Sequence, residues 1–171
     1  MPPTPTLRLL PIDAALVRAV ADPDDFERLT GATLGGNASL AREVVAQHVA
    51  HRARTAAPEE WGAFFASTTD EAPGVVGTCA FVGPPSASGE VEIAYFTFPE
   101  FEGRGYGTAM ARALVRRAAD AGARLVYAHT LREINASTRI LTTLGFRQAG
   151  TAEDHEAGTV WRWEREARAD A

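Results

Sequence analysis

The segment Glu90–Thr108, EVEIAYFTFPEFEGRGYGT, decides the fold of this chain. From Glu90 to Phe98 it is rich in β-branched and aromatic residues, which predicts a strand. Pro99 ends that strand because proline has no amide hydrogen to donate to a neighbouring strand. Glycines at 103, 105 and 107 follow, and then Tyr106 to Ala121 carries apolar residues at helical spacing. The segment therefore predicts a strand, a glycine-rich turn and a helix in direct succession.

The glycine-rich turn is suited to holding an anion. Glycine permits tight turns and close approach of the backbone to a ligand, and the first turn of the following helix has free amides at its positive end. Together they predict a phosphate or pyrophosphate site, to which Arg104 can add a charge-assisted hydrogen bond and Thr108 a hydroxyl. The G-x-G-x-G spacing matches neither the P-loop nor the dinucleotide fingerprint, so a tight turn that binds nothing is the alternative.

The rest of the chain alternates between segments with the apolar pattern of a strand and segments with that of a helix. We predict further strands at Leu7 to Leu10, Trp61 to Thr68, Gly74 to Val82, Arg124 to Thr130, Phe146 to Ala149 and Thr159 to Glu164, and further helices at Ile12 to Val20, Ala41 to Arg54 and Ala136 to Leu144. Hairpins come early and late, with a strand–helix–strand unit between them. This order predicts one α/β domain over residues 1–171, with a core at about 7–165 and short flexible termini.

Composition excludes several classes of protein. A net charge of −5 argues against a nucleic-acid partner. The apolar runs are far shorter than the roughly 20 residues that span a bilayer, and the N-terminus lacks the features of a secretion signal, so we expect a cytoplasmic protein without a membrane partner. Cys79 is the only cysteine and lysine is absent, which excludes an intramolecular disulfide and lysine nucleophiles. His48 and His51 have no third ligand at an obvious spacing, so no metal site is expected.

Two motifs in order along the chain point to a family. The glycine turn fits the pattern [QR]-x-x-G-x-[GA] at Glu102, Gly105 and Gly107, and the segment STRILTTLGF follows at 137–146. From about Glu90 to Ala149 the chain resembles the GNAT superfamily of acyl-CoA N-acyltransferases. The resemblance is to the branch that contains ribosomal-protein N-terminal acetyltransferases.

The resemblance implies both a fold and a donor site. The fold would be a central mixed, mostly antiparallel sheet flanked by helices, in which the strands ending near Thr97 and Thr130 splay apart. The pantetheine arm of acetyl-CoA would lie in that gap. The residues implied to bind it are the backbone groups of Tyr95, Phe96 and Thr97 for the arm and thioester, and Gly103, Arg104, Gly105, Tyr106, Gly107 and Thr108 for the pyrophosphate.

The chain departs from the family pattern at two positions. Glu102 stands where glutamine or arginine is usual, and because a carboxylate repels pyrophosphate we expect its side chain to face solvent or an arginine. Ile134 stands where the family often has asparagine. Asn135, immediately after it, is the candidate for a side-chain contact to the pantetheine arm.

The candidate catalytic residues are His129, Glu92 and Ser137. His129 lies near the end of the second splayed strand, where relatives often carry a catalytic carboxylate, and a free histidine titrates near neutrality. Glu92 is the second candidate base, and Ser137 a candidate hydrogen-bond donor to the leaving thiolate. The alternatives are a structural histidine, a solvated or arginine-paired glutamate, and helix capping by Ser137. Leu141 occupies the place of a tyrosine acid found in some relatives.

These residues lead to one function and two alternatives. We predict an N-acetyltransferase that moves an acetyl group from acetyl-CoA to a primary amine by direct attack in a ternary complex, without a metal. The amine belongs to a protein or peptide N-terminus or to a small molecule. A non-catalytic acyl-CoA-binding module and a purely structural domain are the alternatives. A homodimer is compatible with the family.

Overall fold

A computed structural model describes residues 3–168 as one α/β unit built on a seven-stranded sheet. The predicted flexible ends at 1–2 and 169–171 lie outside the described residues. The strands are β1 (Leu7–Pro11), β2 (Ala63–Thr68), β3 (Val75–Phe81), β4 (Glu90–Thr97), β5 (Leu125–Thr130), β6 (Arg147–Asp154) and β7 (Gly158–Glu166), and the helices are α1 (Ala14–Ala19), α2 (Pro23–Thr30), α3 (Ala38–Thr55), α4 (Tyr106–Asp120) and α5 (Ala136–Thr143).

The sheet has the order β1-β2-β3-β4-β5-β7-β6, and every neighbouring pair is antiparallel except β4 and β5. A parallel pair needs a crossover connection, which α4 provides. The pairing of β4 with β5 covers only Glu90↔Leu125, Val91↔Val126 and Glu92↔Tyr127. Beyond Glu92 the two strands separate within the described chain, which confirms the prediction of a mixed, mostly antiparallel and splayed sheet.

Helices cover both faces of the sheet. One face packs against α4 and α5 through a core that includes Met110, Leu114 and Leu141, all fully buried. The opposite face of β1, β2 and β3 packs against α1, α2 and α3 through a second core around Phe26 and Phe65, whose rings meet edge to face at 5.7 Å. The splayed end of β4 therefore has α4 on one face, while Ala94 and Phe96 are exposed on the other.

Helix α2 has no counterpart in the sequence prediction. Asp22 caps it by accepting hydrogen bonds from the amides of Asp24 and Asp25, Pro23 occupies its first turn, and Gly31 ends it at φ 72°. These are ordinary start and stop signals. The helix escaped notice because it is short and buries only Phe26, so its apolar periodicity is weak.

The final hairpin is longer than predicted. Sequence periodicity placed its first strand at Phe146 to Ala149, whereas β6 continues to Asp154. Strand β6 is an edge strand that is exposed on both faces, so it has no apolar alternation to reveal it. The turn itself is made by Asp154, whose carboxylate accepts hydrogen bonds from the amides of Glu156 and Ala157.

Candidate functional site

The gap between β4 and β5 exposes backbone groups of β4 that no strand uses. Hydrogen bonds from the Val82 amide to the Glu92 carbonyl and from the Phe98 amide to the Val76 carbonyl set the antiparallel ladder between β3 and β4. Because such a ladder alternates, even-numbered residues of β4 direct their backbone groups to β3 and odd-numbered residues direct theirs to the gap. The backbone groups of Tyr95 and Thr97 therefore face the gap.

The backbone of Phe96 does not face the gap, contrary to the expectation that it binds the pantetheine arm. It stands opposite Thr78 in the register of β3 and β4, so its amide and carbonyl belong to the ladder rather than to the gap. Its side chain is 46% exposed and lines the space beside the gap. Any contact from Phe96 to a ligand therefore comes from the aromatic ring.

The glycine turn presents amides rather than side chains. Gly103 and Gly105 have φ of 75° and 83°, a left-handed conformation that favours glycine. Gly105 is the N-cap of α4 and makes no side-chain cap, so the first-turn amides of α4 have no capping side chain. A Cβ on Gly103 would meet no atom within 4 Å, which leaves open space above the turn. This geometry is that of an anion site.

The gap, the turn and α5 enclose one cleft of about 530 Å³, called the β4–α5 cleft. Gly107 keeps it open, since a Cβ there would approach Ile140 Cδ1 to 2.8 Å. Its lining includes nine of the residues predicted from the sequence: Tyr95, Phe96, Thr97, Gly103, Gly105, Tyr106, Gly107, Thr108 and Ser137.

Two of the residues predicted to bind the donor lie outside that lining. The Arg104 guanidinium sits over the ring of Phe101 at 5.7 Å, beside the cleft. The side-chain oxygen of Asn135 accepts a hydrogen bond from the Thr138 amide and caps α5. The alternative that Ser137 caps α5 is wrong, because Asn135 occupies the N-cap position. Ser137 lines the cleft instead.

Arg139 is a cleft residue that sequence reasoning missed. It lines the β4–α5 cleft with Ala136 and Ile140, and its Nε donates to the Asn135 carbonyl at 3.3 Å. Spacing of three and four residues along α5 could have revealed that these three side chains share a face. Glu102 also borders the cleft but is exposed, as expected for a carboxylate near an anion site. Arg139 gives the cleft a positive charge opposite the glycine turn.

Tyr95 contributes a side chain as well as a backbone. Its hydroxyl reaches across the cleft to donate to the Ser137 carbonyl at 3.5 Å, a long hydrogen bond. Burial raises the pKa of the Tyr95 phenol well above its ordinary value, so the hydroxyl keeps its proton at physiological pH. Position 141, where some relatives carry a tyrosine acid, is occupied by Leu141, which is fully buried in the core. Tyr95 instead brings a phenol into the cleft from β4.

His129 and Glu92 form a pair on the opposite face of the sheet. The Nδ1 atom of His129 lies 2.9 Å from Oε1 of Glu92, and each side chain is about a quarter exposed. Because a carboxylate has no proton to donate, Nδ1 is the donor, and in the neutral form of the imidazole Nε2 carries the lone pair. His129 Nε2 is buried and has no hydrogen-bond partner among residues 3–168. An unpartnered buried acceptor at the gap is a candidate base.

Charged side chains on β4 and β7 lie near this pair. Arg162 stands opposite His129 in the register of β5 and β7, and its guanidinium lies 3.9 Å from the centre of the Tyr127 ring. Arg162 also bonds Glu164 at 2.7 Å and approaches Glu90 at 3.9 Å. The charge of Arg162 is thus balanced by Glu90 and Glu164. Glu92 remains the partner of His129.

Cys79 and His51, the other potentially reactive side chains considered, have structural roles. Burial raises the pKa of the Cys79 thiol to about 12, so it stays protonated in the core. His51 Nε2 lies 2.8 Å from the Val82 carbonyl, and no group of three or more potential metal ligands occurs in the described chain. None of the helices formed by residues 3–168 is both long and apolar enough to span a membrane.

Comparisons with known proteins agree with this geometry. The sequence model of the acetyltransferase (GNAT) domain family matches residues 6–147. A search of curated protein sequences finds no significant match.

Solved structures share the fold at low sequence identity. RimL, a ribosomal-protein alpha-N-acetyltransferase in complex with coenzyme A, has 17% identity and a TM-score of 0.64, covering 96% of each chain. The microcin self-immunity acetyltransferase MccE, in complex with acetyl-CoA and AMP, has 14% identity and a TM-score of 0.64, covering 96% of this chain and 97% of its own. A ribosomal-protein-alanine acetyltransferase from Vibrio fischeri has 14% identity and a TM-score of 0.61, covering 94% and 92%.

The family match extends over most of the chain. The chain therefore belongs to the GNAT acetyltransferase family and is an acetyl-CoA-dependent N-acetyltransferase.

Proposed function

We propose that this enzyme uses His129 as the base that receives a proton from the attacking primary amine, with Glu92 as a positioning residue. The observation that carries the proposal is the buried, unpartnered Nε2 of His129, held by the 2.9 Å contact of Nδ1 with Glu92. An ammonium hydrogen of the acceptor would satisfy that lone pair. The amine would then be neutral and able to attack the acetyl carbonyl.

The donor is assigned to the β4–α5 cleft. The amide and carbonyl groups of Tyr95 and Thr97 face the gap, where they can pair with the amides of a pantetheine arm as an added strand would. The turn amides from Gly103 to Thr108 would hold the pyrophosphate, and Arg139 would add a charge-assisted bond to a phosphate. Arg104 and Asn135 lie beside this cleft, so direct contacts from their side chains stay predictions.

Acetyl transfer then proceeds across the sheet. The donor occupies the α4–α5 face, the His129–Glu92 pair lies on the other, and the gap between β4 and β5 joins them. The neutral amine nitrogen bonds to the acetyl carbon and the carbon–sulfur bond breaks. The surplus proton on the nitrogen passes to the leaving thiolate, while His129 Nε2 keeps the proton that it took from the ammonium group. General base assistance of this kind contributes about 10²- to 10⁴-fold in rate.

Tyr95 is the proposed hydrogen-bond donor to the leaving sulfur. Its protonated hydroxyl already crosses the cleft, and the bond it makes to the Ser137 carbonyl is long enough to be exchanged. Ser137 lines the same cleft, and its hydroxyl is a second donor to the thiolate. Both groups stabilise negative charge on sulfur without becoming ionised themselves.

The experiment follows free thiol release from acetyl-CoA with a panel of primary amines, using two matched substitutions on one strand. Glu92→Gln removes the carboxylate that orients His129. Glu90→Gln removes an equivalent carboxylate two residues away, which contacts Arg124 and Arg162 instead. We expect His129→Gln to lower kcat by about 10²- to 10⁴-fold, Glu92→Gln to lower it less, and Glu90→Gln to leave it nearly unchanged.

The pH dependence of kcat shows whether His129 acts as a base or whether the His129–Glu92 pair is only structural. Measurements from about pH 6 to about pH 9 cover the range in which a free histidine and an α-amine titrate. If kcat is the same in His129→Gln and Glu92→Gln as in the unmodified enzyme throughout that range, the base assignment is wrong. Binding of acetyl-CoA without thiol release for any amine would instead favour an acyl-CoA-binding module.

Location, assembly and the lack of a nucleic-acid partner are proposed on sequence grounds alone. A cytoplasmic location stays a prediction from the sequence. The net charge of −5 disfavours nucleic acid. A homodimer stays a prediction, which light scattering of the purified enzyme would test.

A further inference from the structure

A row of three alanines crosses the sheet beneath α3. Ala63 pairs with Ala80 in the register of β2 and β3, and Ala80 pairs with Ala94 in the register of β3 and β4. Because alanine carries only a methyl group, this row leaves a trough of about 300 Å³ between α3 and the sheet, called the alanine trough. A cavity of about 150 Å³ is enough for benzene.

The trough is an open groove bordered along its sides and at its far end by named side chains. On one side His51 Nε2 lies 2.8 Å from the Val82 carbonyl and ties α3 to the end of β3. On the other side stands the ring of Phe96, and Val44 of α3 forms part of the roof. At the far end His48 packs close to Gly62, where a Cβ would lie 3.1 Å from the imidazole Cε1. Ala94, which is exposed, lies at the end of the row nearest the gap.

The open end of the trough points toward the catalytic pair. Glu92 stands opposite Tyr127 in the parallel register of β4 and β5, so Ala94 and His129 occupy equivalent positions two residues further along each strand. Glu92, Ala94 and Phe96 share one face because side chains alternate along a strand. Tyr95 and Phe96 line both the alanine trough and the β4–α5 cleft. The two spaces are therefore neighbours at the gap.

The lining of the trough carries no carboxylate. It consists of alanines, aliphatic and aromatic side chains, Thr78, Gln47 and two histidines. Burial, followed by repulsion from Arg52, lowers the pKa of His48, so this imidazole is neutral at physiological pH. A cationic group in the trough would lose its hydration without gaining a counter-charge.

From these observations we infer that the alanine trough binds the substituent of the acceptor, and that the acceptor is a small primary amine bearing one uncharged, apolar group of about the size of a phenyl ring or branched alkyl chain. The inference rests on the proposed function, because it places the amine at His129 Nε2 and its substituent over Ala94 and Ala80. Burial of such a group is favourable at about 25 cal/mol per Å² of apolar surface.

The same features disfavour other acceptors. A diamine or polyamine would place a second charge among Ala80, Val44 and neutral His48. A peptide would have to continue beyond its first residue, whereas the trough ends at His48 and Gly62 and the unpaired edge of β4 faces the donor cleft. The geometry thus selects a free amine with a single compact substituent.

The first arm of the test needs no substitution. Steady-state acetylation is compared for ethylamine, 3-methylbutylamine, 2-phenylethylamine, 1,4-diaminobutane and a peptide with an N-terminal phenylalanine. We expect kcat/KM to rise at least tenfold from ethylamine to 2-phenylethylamine, because about 1.4 kcal/mol of apolar burial corresponds to tenfold. Equal or higher kcat/KM for ethylamine, the diamine or the peptide overturns the inference and leaves the proposed function intact.

The second arm fills the trough. Ala80→Leu places a larger side chain in the middle of the alanine row, and Ala46→Leu adds the same group on an exposed position of α3 as the control. We expect Ala80→Leu to raise KM for 2-phenylethylamine at least tenfold, with KM for acetyl-CoA and kcat/KM for ethylamine unchanged. Ala46→Leu should behave as the unmodified enzyme. An unchanged KM for 2-phenylethylamine in a folded Ala80→Leu protein contradicts the inference.

A binding measurement distinguishes a failure of the trough inference from a failure of the proposed catalytic function. Calorimetric titration of 2-phenylethylamine into the enzyme loaded with coenzyme A requires no turnover. Binding that Ala80→Leu abolishes supports the trough even if no amine is acetylated, a result that would contradict the proposed chemistry alone. If Ala80→Leu does not fold, Ala63→Leu fills the far end of the same row and is subject to the same expectations.

Discussion

At the scale of single residues, the site combines two side chains whose protons are controlled differently. Burial keeps the Tyr95 phenol protonated, whereas the contact of His129 Nδ1 with Glu92 orients the ring and leaves Nε2 without a hydrogen-bond partner among the described residues. One group can donate a hydrogen bond and the other can accept a proton. They lie on different faces of the sheet, so in the proposed mechanism one serves the leaving sulfur and the other the attacking amine.

Tyr95→Phe tests the first of these roles. It removes a hydroxyl that bonds only a carbonyl at 3.5 Å, so folding should be little affected. A hydrogen bond to a charged group contributes about 1.5–3 kcal/mol, so we expect kcat to fall roughly ten- to hundredfold while KM for acetyl-CoA changes little. Tyr127→Phe is the matched control, since that phenol lies beside Arg162 on the other face. Equal kcat values for the two variants would remove Tyr95 from the mechanism.

At the scale of elements, the start of α4 is shaped by its contact with α5. Gly105 ends the turn with a left-handed conformation, and Gly107 in the first turn faces Ile140 and Thr97. A Cβ at Gly107 would come within 2.8 Å of Ile140 Cδ1 and 3.4 Å of Thr97 Oγ1. The close approach of two helices therefore sets the width of the β4–α5 cleft.

Gly107→Ala should narrow that cleft without unfolding the enzyme. The end of the Ile140 side chain can move, and alanine is favoured over glycine in a helix by about 1 kcal/mol. We expect KM for acetyl-CoA to rise several-fold, with the free energy of unfolding nearly unchanged. Ile140→Val removes the clashing Cδ1, so the double variant should recover the original KM. A double variant as impaired as Gly107→Ala would show that the methyl group acts in another way.

At the scale of the whole molecule, one sheet separates two cores and two binding spaces. The core under α4 and α5 contains Cys79, which is 2% exposed. The core on the other face is closed by α1, α2 and α3. A buried ionisable thiol between packed layers links the stability of this fold to pH.

Cys79 should make unfolding easier in alkaline solution. Its pKa is raised to about 12 in the folded state, while in the unfolded chain it is about 8.5. Above the unfolded value the unfolded chain binds fewer protons than the folded one, so stability falls as pH rises. Between about pH 8.5 and pH 10 the loss is on the order of 2 kcal/mol. Denaturant titrations of Cys79→Ala should lack this component, and identical pH dependence in both proteins would contradict the assignment.

The sequence by itself determined the elements and the anion turn, because strand alternation, helical spacing, proline and left-handed glycines act over a few residues. It missed α2 and shortened β6, where apolar periodicity is weak or absent. Only the tertiary structure decided which distant side chains meet. Strand register brings His129 to Glu92 and aligns three alanines into a trough, and packing of α5 across the cleft places Ser137 at the Tyr95 hydroxyl. Register and packing depend on contacts between segments far apart in the chain, which local patterns do not encode.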